Sequence, residues 1–336
     1  APVPCCCICF ANEYYEKLQN EKRELERAKI KFRDERTAWN KQNYIDARVE
    51  EKLDLLEKEL LSQGRINFDV HENINVTSDN DMLIILSDFH IGQCFSSMWG
   101  EYNVDIAKNR LNQLLNEVIA IQKIHNSENC FISLQGDMLS GNIHKTIQVT
   151  NRENVIEQIQ LASELICDFI YRIAQNCDSV IVNSVMSSNH CRLGKKDEVL
   201  RDERLDSIVL WYAKAKLQNV DNILFEEEEN IDPTIAKNTI RGKIYYFVHG
   251  DYDSFSESGI NKLIAMTKEF PSCICYGHLH KNSFDDINDV KIIRSGSFAG
   301  TYDDYTISKR ISGKPSQMIF VADSNGVNTL IPVTLQ

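Results

Sequence analysis

The sequence predicts an α/β protein with a helical arm in front of it, on three observations. From about residue 82, short β-rich apolar runs alternate with longer helical stretches, the pattern of helices laid over a sheet. Residues 11–63 contain no Gly and no Pro, and 25 of these 53 are charged, as in a long solvent-facing helix. The last apolar runs follow one another without a helix between them, so the closing strands form a second sheet or extend the first one antiparallel.

The arm is the first element to justify. Leu18, Leu25, Phe32 and Trp39 recur every seven residues, and Val49, Leu53, Leu56 and Leu60 keep a 4-3-4 spacing, so one face carries an apolar stripe. Such a helix over residues 11–64 would reach up to about 80 Å at 1.5 Å per residue. It predicts a coiled-coil homodimer, with packing against the chain's own globular part as the alternative. Residues 1–10 (APVPCCCICF) lack the basic flank of a signal peptide and are expected to be a disordered tail.

Residues 65–336 are expected to be the globular domain. Its strand candidates are Met82–Leu86, Cys130–Leu134, Ser179–Val185, Ile244–Val248, Cys273–Tyr276, Lys291–Arg294 and Met318–Ala322. Its helix candidates are Asp105–Ile124, Arg152–Gln175, Val199–Leu217 and Ser258–Glu269.

Composition narrows the function. With 43% hydrophobic and 26% charged residues the chain is neither disordered nor fibrous. Its formal charge is −12, and residues 64–336 carry 25 basic against 36 acidic side chains, a poor overall match for a polyanion. The 11 cysteines are odd in number with a single CxxC (Cys6 and Cys9), which indicates neither a disulfide framework nor a zinc ribbon and fits a reducing cytoplasm. No apolar run approaches the roughly 20 residues that span a bilayer, so no membrane partner is expected.

Five polar clusters then follow five strand candidates: LSDFHIG with Asp88 and His90, LQGDML with Asp137, SSNHCR with Asn189 and His190, FVHGD with His249, and YGHLHK with His278 and His280. Residues at strand ends gather on one rim of a sheet. Asp88 and His90, two apart, would point to the same side of an extended segment. Each motif alone is weak, but five in this order are not coincidence.

With these motifs the sequence resembles the calcineurin-like metallophosphoesterase superfamily, whose ordered pattern is DxH, GD, GNH, H and GHxH. The resemblance covers roughly residues 80–300. It implies a four-layer αββα sandwich with two divalent metal ions at the sheet edge. Asp88, His90, Asp137 and His280 would surround one ion, and Asp137, Asn189, His249 and His278 the other, with Asp137 bridging. His190 would be the unligated histidine that assists the leaving group. Such a pair of ions can hold a hydroxide for in-line attack on a phosphate. The mixed N and O ligands suit manganese first, with iron, zinc or nickel as alternatives. Two carboxylates against two divalent cations leave a positive site within an acidic domain.

The third motif departs from the family pattern, since Cys191 stands where an acid usually follows the histidine, and the partner of His190 is not evident. Arg192 could contact a phosphate or sit on the surface. The nearest resemblance within the superfamily is to SbcD-type DNA repair nucleases and to phage- or prophage-encoded phosphoesterases, through Gly141–His144, Arg294–Ser297 and Ser308–Gln317, which makes His144 a candidate substrate contact. Only 56 residues follow His280. The capping domain and ATPase-binding extension of repair nucleases are therefore not expected, and an SbcC-like ATPase is a doubtful partner. Lys145, Arg192, Lys195, Lys196, Lys281, Lys309, Arg310 and Lys314 could track a nucleic-acid backbone or be ordinary solvated surface, and Tyr302 and Tyr305 could stack on bases or pack on the sheet.

These readings predict a dinuclear-metal phosphodiesterase, a nuclease acting on DNA, in the cytoplasm or in the host cytoplasm if phage-encoded. The alternatives are a phosphatase or phosphodiesterase for a small nucleotide or phosphoprotein, and a metal-binding scaffold acting through its arm.

Overall fold

A computed structural model describes residues 17, 18, 20–37, 39 and 78–336, except 144 and 197. The chain divides into two compact units, Ala1–Asn67 and Phe68–Gln336. In the first unit, helix α1 runs over 20–37. Its apolar stripe is exposed: Leu25 is 56% and Phe32 66% accessible. The expected tail over 1–10 and the seam from Val49 to Leu60 lie outside the described residues.

The second unit is built on two sheets. In the first, β1 (Asp81–Leu86), β4 (Asn129–Leu134), β5 (Ser179–Ser184) and β6 (Ile223–Phe225) run parallel, and β12 (Ser316–Asp323) and β13 (Gly326–Thr334) close it antiparallel, in the order β13-β12-β1-β4-β5-β6. In the second, β8 (Lys243–Val248), β9 (Cys273–Tyr276) and β11 (Val290–Arg294) are parallel, with β7 (Ile235–Ile240) and β10 (Ser283–Ile287) antiparallel at the edges, in the order β10-β11-β9-β8-β7. A small hairpin, β2 (Phe95–Ser97) and β3 (Gly100–Tyr102), follows β1.

Side-chain alternation sorts the layers. Leu83 and Ile85 of β1 and Met318, Phe320 and Ala322 of β12 meet Tyr245, Phe247, Cys273, Cys275 and Ile293 of the second sheet in one buried cluster. The intervening residues Tyr246, Val248, Ile274 and Tyr276 point away from it and pack on Ile260 and Leu263 of α6 (Glu257–Thr267). Met82, Ile84 and Leu86 are buried too, on the face where α2 (Val104–His125) and α4 (Val155–Ala174) pack, with α5 (Asp206–Leu217) beside α4. The result is helices, sheet, sheet, helix. Two short helices, α3 (Lys145–Thr150) and α7 (Asp304–Ser308), lie in the loops.

Helix boundaries follow their caps. Asn103 Oδ1 accepts from the amides of Asp105 and Ile106 to start α2. Asn154 and Glu157 form a capping box, so α4 starts at Val155 rather than at Arg152. The helix expected from Val199 starts only at Asp206. The Arg204 guanidinium binds the carbonyls of Leu200 and Glu203 instead, and Arg204 bridges back to Arg192. At the strand ends away from the motifs, Arg241 binds Asp81 at 2.7 Å and Glu128 at 2.6 Å, tying the β7–β8 turn of one sheet to the start of β1 and β4 in the other.

Candidate metal centre

All five motifs sit just past the carboxyl ends of parallel strands, β1, β4 and β5 of one sheet and β8 and β9 of the other. This is where open α/β sheets bind ligands. The backbone there is unusual. Asp88, His90, Asp137, His278 and His280 have φ of 55°, 46°, 52°, 62° and 57°. Left-handed conformations cost non-glycine residues about 1–3 kcal/mol each and gather at functional sites. Asp88 and His90 therefore converge through left-handed turns and not by extended alternation, as their spacing had suggested. Gly277 permits the close approach, because a Cβ there would lie 1.8 Å from Ser87 Oγ and 2.7 Å from Asp88 Oδ2.

Backbone bonds join the loops: Asp88 N to Gly136 O at 3.2 Å, His90 N to Asp137 O at 3.0 Å, and Gly277 N to His249 O at 3.1 Å. Each carboxylate then has one anchored and one free oxygen. Asp88 Oδ2 accepts from Ser87 Oγ at 2.7 Å and from His278 N at 3.0 Å, and Asp137 Oδ1 accepts from His190 N at 2.9 Å. Asp88 Oδ1 and Asp137 Oδ2 are buried without a hydrogen-bond partner among the described residues. Orphaned buried carboxylate oxygens are costly unless a cation meets them.

The histidines converge on those oxygens. His280 Nε2 is 3.3 Å and His90 Nε2 3.9 Å from Asp88 Oδ1, and His249 Nε2 is 3.2 Å from Asp137 Oδ2. His249 Nδ1 lies 2.8 Å from Gln135 O, so Nδ1 carries the proton given to that carbonyl, and Nε2 faces Asn189 Oδ1 at 2.8 Å. A ring nitrogen donating to a backbone carbonyl while the other faces inward is the usual arrangement of a metal-bound histidine. Asp88, His90 and His280 offer ligand atoms within 4.8 Å of one another, and so do Asp137, His249 and His278. His90, Asp137 and His190 form a third such group that links the two.

Charge is strongly perturbed here. Burial pushes the Asp88 carboxyl up, but the neighbouring His280 and His249 outweigh it and hold it well below the carboxylate range. Asp137 is likewise held low against its burial, by His249 and His190. His90 is pushed down to about 3 by burial and by His190. His249 is raised to about 10 although burial opposes it, because Asp137 lies against it. These residues can hold a metal ion: oxygen and nitrogen donors are gathered and buried, and two of the carboxylate oxygens have no hydrogen-bond partner among the described residues.

The structure also supplies what the motif order left open. His190 Nδ1 lies 3.0 Å from the Ser140 carbonyl, so a backbone oxygen orients the ring in place of an acid at position 191. Cys191 is buried, with Sγ 3.1 Å from Asp206 Oδ1. Asp206 also accepts from Met138 N at 3.2 Å and from Ser188 Oγ, so this single carboxylate at the start of α5 clamps the second motif to the third. No spacing rule pointed to it, since it lies 69 residues beyond Asp137. Arg192 Nε donates to Asn189 O at 2.9 Å and braces that loop. His144 lies outside the described residues.

No family model and no curated protein matches the chain. Among solved structures, an archaeal phosphodiesterase is similar at TM-score 0.36 and 12% identity, over 76% of this chain and 99% of that one. Zinc-bound Vps29 from Entamoeba histolytica is similar at TM-score 0.33 and 10% identity, over 76% and 99%. A predicted phosphoesterase from Streptococcus pneumoniae gives TM-score 0.32 and 8% identity, over 77% and 99%. Likenesses of this degree carry no functional argument, which rests on the side chains above.

Proposed function

We propose that the chain is a divalent-metal-dependent phosphodiesterase whose substrate is nucleic acid, DNA foremost. One observation carries this reading: two buried carboxylates, Asp88 and Asp137, each turn an oxygen without a hydrogen-bond partner toward convergent histidine nitrogens. Asp88, His90, Asp137 and His280 would hold one ion, and Asp137, Asn189, His249 and His278 a second, with manganese the first choice. Such ions supply Lewis acidity to a phosphate and lower the pKa of water.

The chain's own part is to fix these ligands and to handle a proton. Ser87, His278 N and His190 N hold the two carboxylates in place. His190 Nδ1 donates to the Ser140 carbonyl, which orients the ring, and Nε2 would be the atom that exchanges a proton with the leaving oxygen. His190 faces His90 with ring centroids 4.5 Å apart, which places it beside the first ligand group.

A second reading, hydrolysis of a small nucleotide, is favoured by the 36 acidic against 25 basic side chains of residues 64–336. Incubation with manganese and labelled DNA tests the two. Shortened products that vanish with Asp137→Ala or His249→Ala support a nuclease. Turnover of a cyclic nucleotide with DNA left intact would replace that reading by the second.

A further inference from the structure

The peptide groups on either side of Asp88 are clamped from two other parts of the fold. β12 pairs with β1 as far as Ile319 opposite Ile84, and the residues before Ile319 bond to the loop after β11: the Ser316 amide donates to Ser297 O at 3.0 Å and the Met318 amide to Ser295 Oγ at 3.2 Å. Between those two stands Gln317, fully buried. Its side-chain amide meets Ser87 as a neighbouring strand would, Oε1 accepting from Ser87 N at 2.8 Å and Nε2 donating to Ser87 O at 3.1 Å. Nε2 also donates to Gly296 O at 2.8 Å and to Ser316 O at 2.7 Å. One side chain thus joins the end of β1 in the first sheet to the loop after β11 in the second.

That loop in turn grips Asp88. Ser297 Oγ and Ala299 N both donate to Asp88 O at 3.2 Å, and Phe298 stacks on Phe89 with ring centroids 3.9 Å apart. Arg110 of α2 holds the loop from behind, its Nη1 donating to Phe298 O at 3.1 Å and to Ala299 O at 2.9 Å. The left-handed twist at Asp88, φ 55°, is set by the relative orientation of two peptide groups, one ending in Ser87 O and held by Gln317, the other ending in Asp88 O and held by this loop. Such a conformation persists at a non-glycine residue only where its surroundings over-determine it. Ser87 Oγ carries the restraint on to the side chain: it donates to Asp88 Oδ2 at 2.7 Å and leaves Oδ1 turned toward His90 and His280.

The geometry points to Gln317 as a positioning residue for Asp88: through Ser87 it holds the carboxylate of the first ligand group in the orientation in which Oδ1 meets the two histidines. A side-chain amide suits this role, because it offers an acceptor and a donor side by side, to match the N–H and C=O of one residue, and brings no charge to a metal centre. Gln317 reaches the ligands only through other residues. Its effect falls on the first ion, since Asn189 and His249 of the second group hang from other loops, and His278 meets Asp88 only through its backbone amide, at 3.0 Å from Oδ2. This rests on the two-ion reading of the site and assigns one further residue to it.

The test is calorimetric titration of the metal-free full chain with manganese, with a urea midpoint taken for every variant. His280→Ala and His249→Ala assign the two binding events to the two groups. Partners that orient a metal ligand are worth about 10–100-fold in affinity, so Gln317→Met and Ser87→Ala should each raise the dissociation constant of the first ion about tenfold or more, and that of the second far less. Because both act along one path, the double variant should lose little beyond the worse single one. Ser295→Ala removes a bond of the same junction that does not lead to Asp88, and it should lower the urea midpoint while leaving both constants as they were. Should Gln317→Met fail to fold, Gln317→Asn, whose amide falls short of Ser87, takes its place with the same outcomes. A first-ion constant unmoved by the single variants, equal losses for both ions, or an additive double variant overturns the proposal. A parent chain that takes up only one ion, lost in His280→Ala, would refute the two-ion reading but not the role of Gln317. Two ions in the parent with unchanged constants in the variants would refute Gln317 alone, and no uptake at all would refute both.

Discussion

Asp206 shows how much one buried side chain can hold. Burial, and then the charge of Asp137, push its pKa up from the ordinary carboxylate value. Asp206→Ala would leave the Met138 amide and the Ser188 hydroxyl buried without a partner, at a cost of about 2–3 kcal/mol. We expect it to lower the urea midpoint and kcat together, while Asp206→Asn keeps most of both. Equal losses in the two variants would show that shape, and not hydrogen bonding, is what matters there. The motif residues were legible because each lies in the loop after a strand and is of a metal-binding type. Asp206 was not, because a clamp between two loops leaves no local pattern, and the Ser140 carbonyl that orients His190 has no side-chain signature at all.

At the scale of elements, the strands with continuous apolar runs were legible and the polar edge strands were not. β7 reads IAKNTI and β10 reads SFDDI, and both lie at the edges of the second sheet, where one side needs no apolar neighbour. β2, β3 and β6, of three residues each, are too short to show a period. The end of α6 is held by Glu269, whose carboxylate accepts from Lys237 Nζ at 2.7 Å and Tyr246 OH at 2.8 Å. Those bonds, that of Lys237 first, lower its pKa. Its contribution is therefore complete above the ordinary glutamate range and is lost as pH falls through the lowered native value. Glu269→Gln should remove that part of the acid sensitivity in melting curves taken between pH 3 and 6, and an unchanged profile would discount the contact. For the arm, deletion of residues 1–63 should convert a dimer into a monomer by light scattering, and an unchanged mass would dismiss the coiled coil.

For the globular unit as a whole, the two sheets are tied at opposite edges by different means. At one edge the tie is the Arg241, Asp81 and Glu128 cluster, and Asp81 is only 3% accessible. Arg241→Ala would leave a buried carboxylate unpaired and should cost on the order of 2–3 kcal/mol, read as a lower urea midpoint. At the other edge the tie consists of the motif loops, where charge and strain oppose assembly. Residues with left-handed backbone are tolerated best when they are Asn, Asp or His, the same types that bind metals. A price in stability is thus built into the presence of those side chains, and a bound cation would return it through mass action. His278→Gly keeps the conformation without the Cβ and removes one of the crowded rings. We expect this variant, free of metal, to melt higher than the parent while gaining less from added manganese. Removing these histidines would then give a sturdier metal-free fold that has less to gain from a cation.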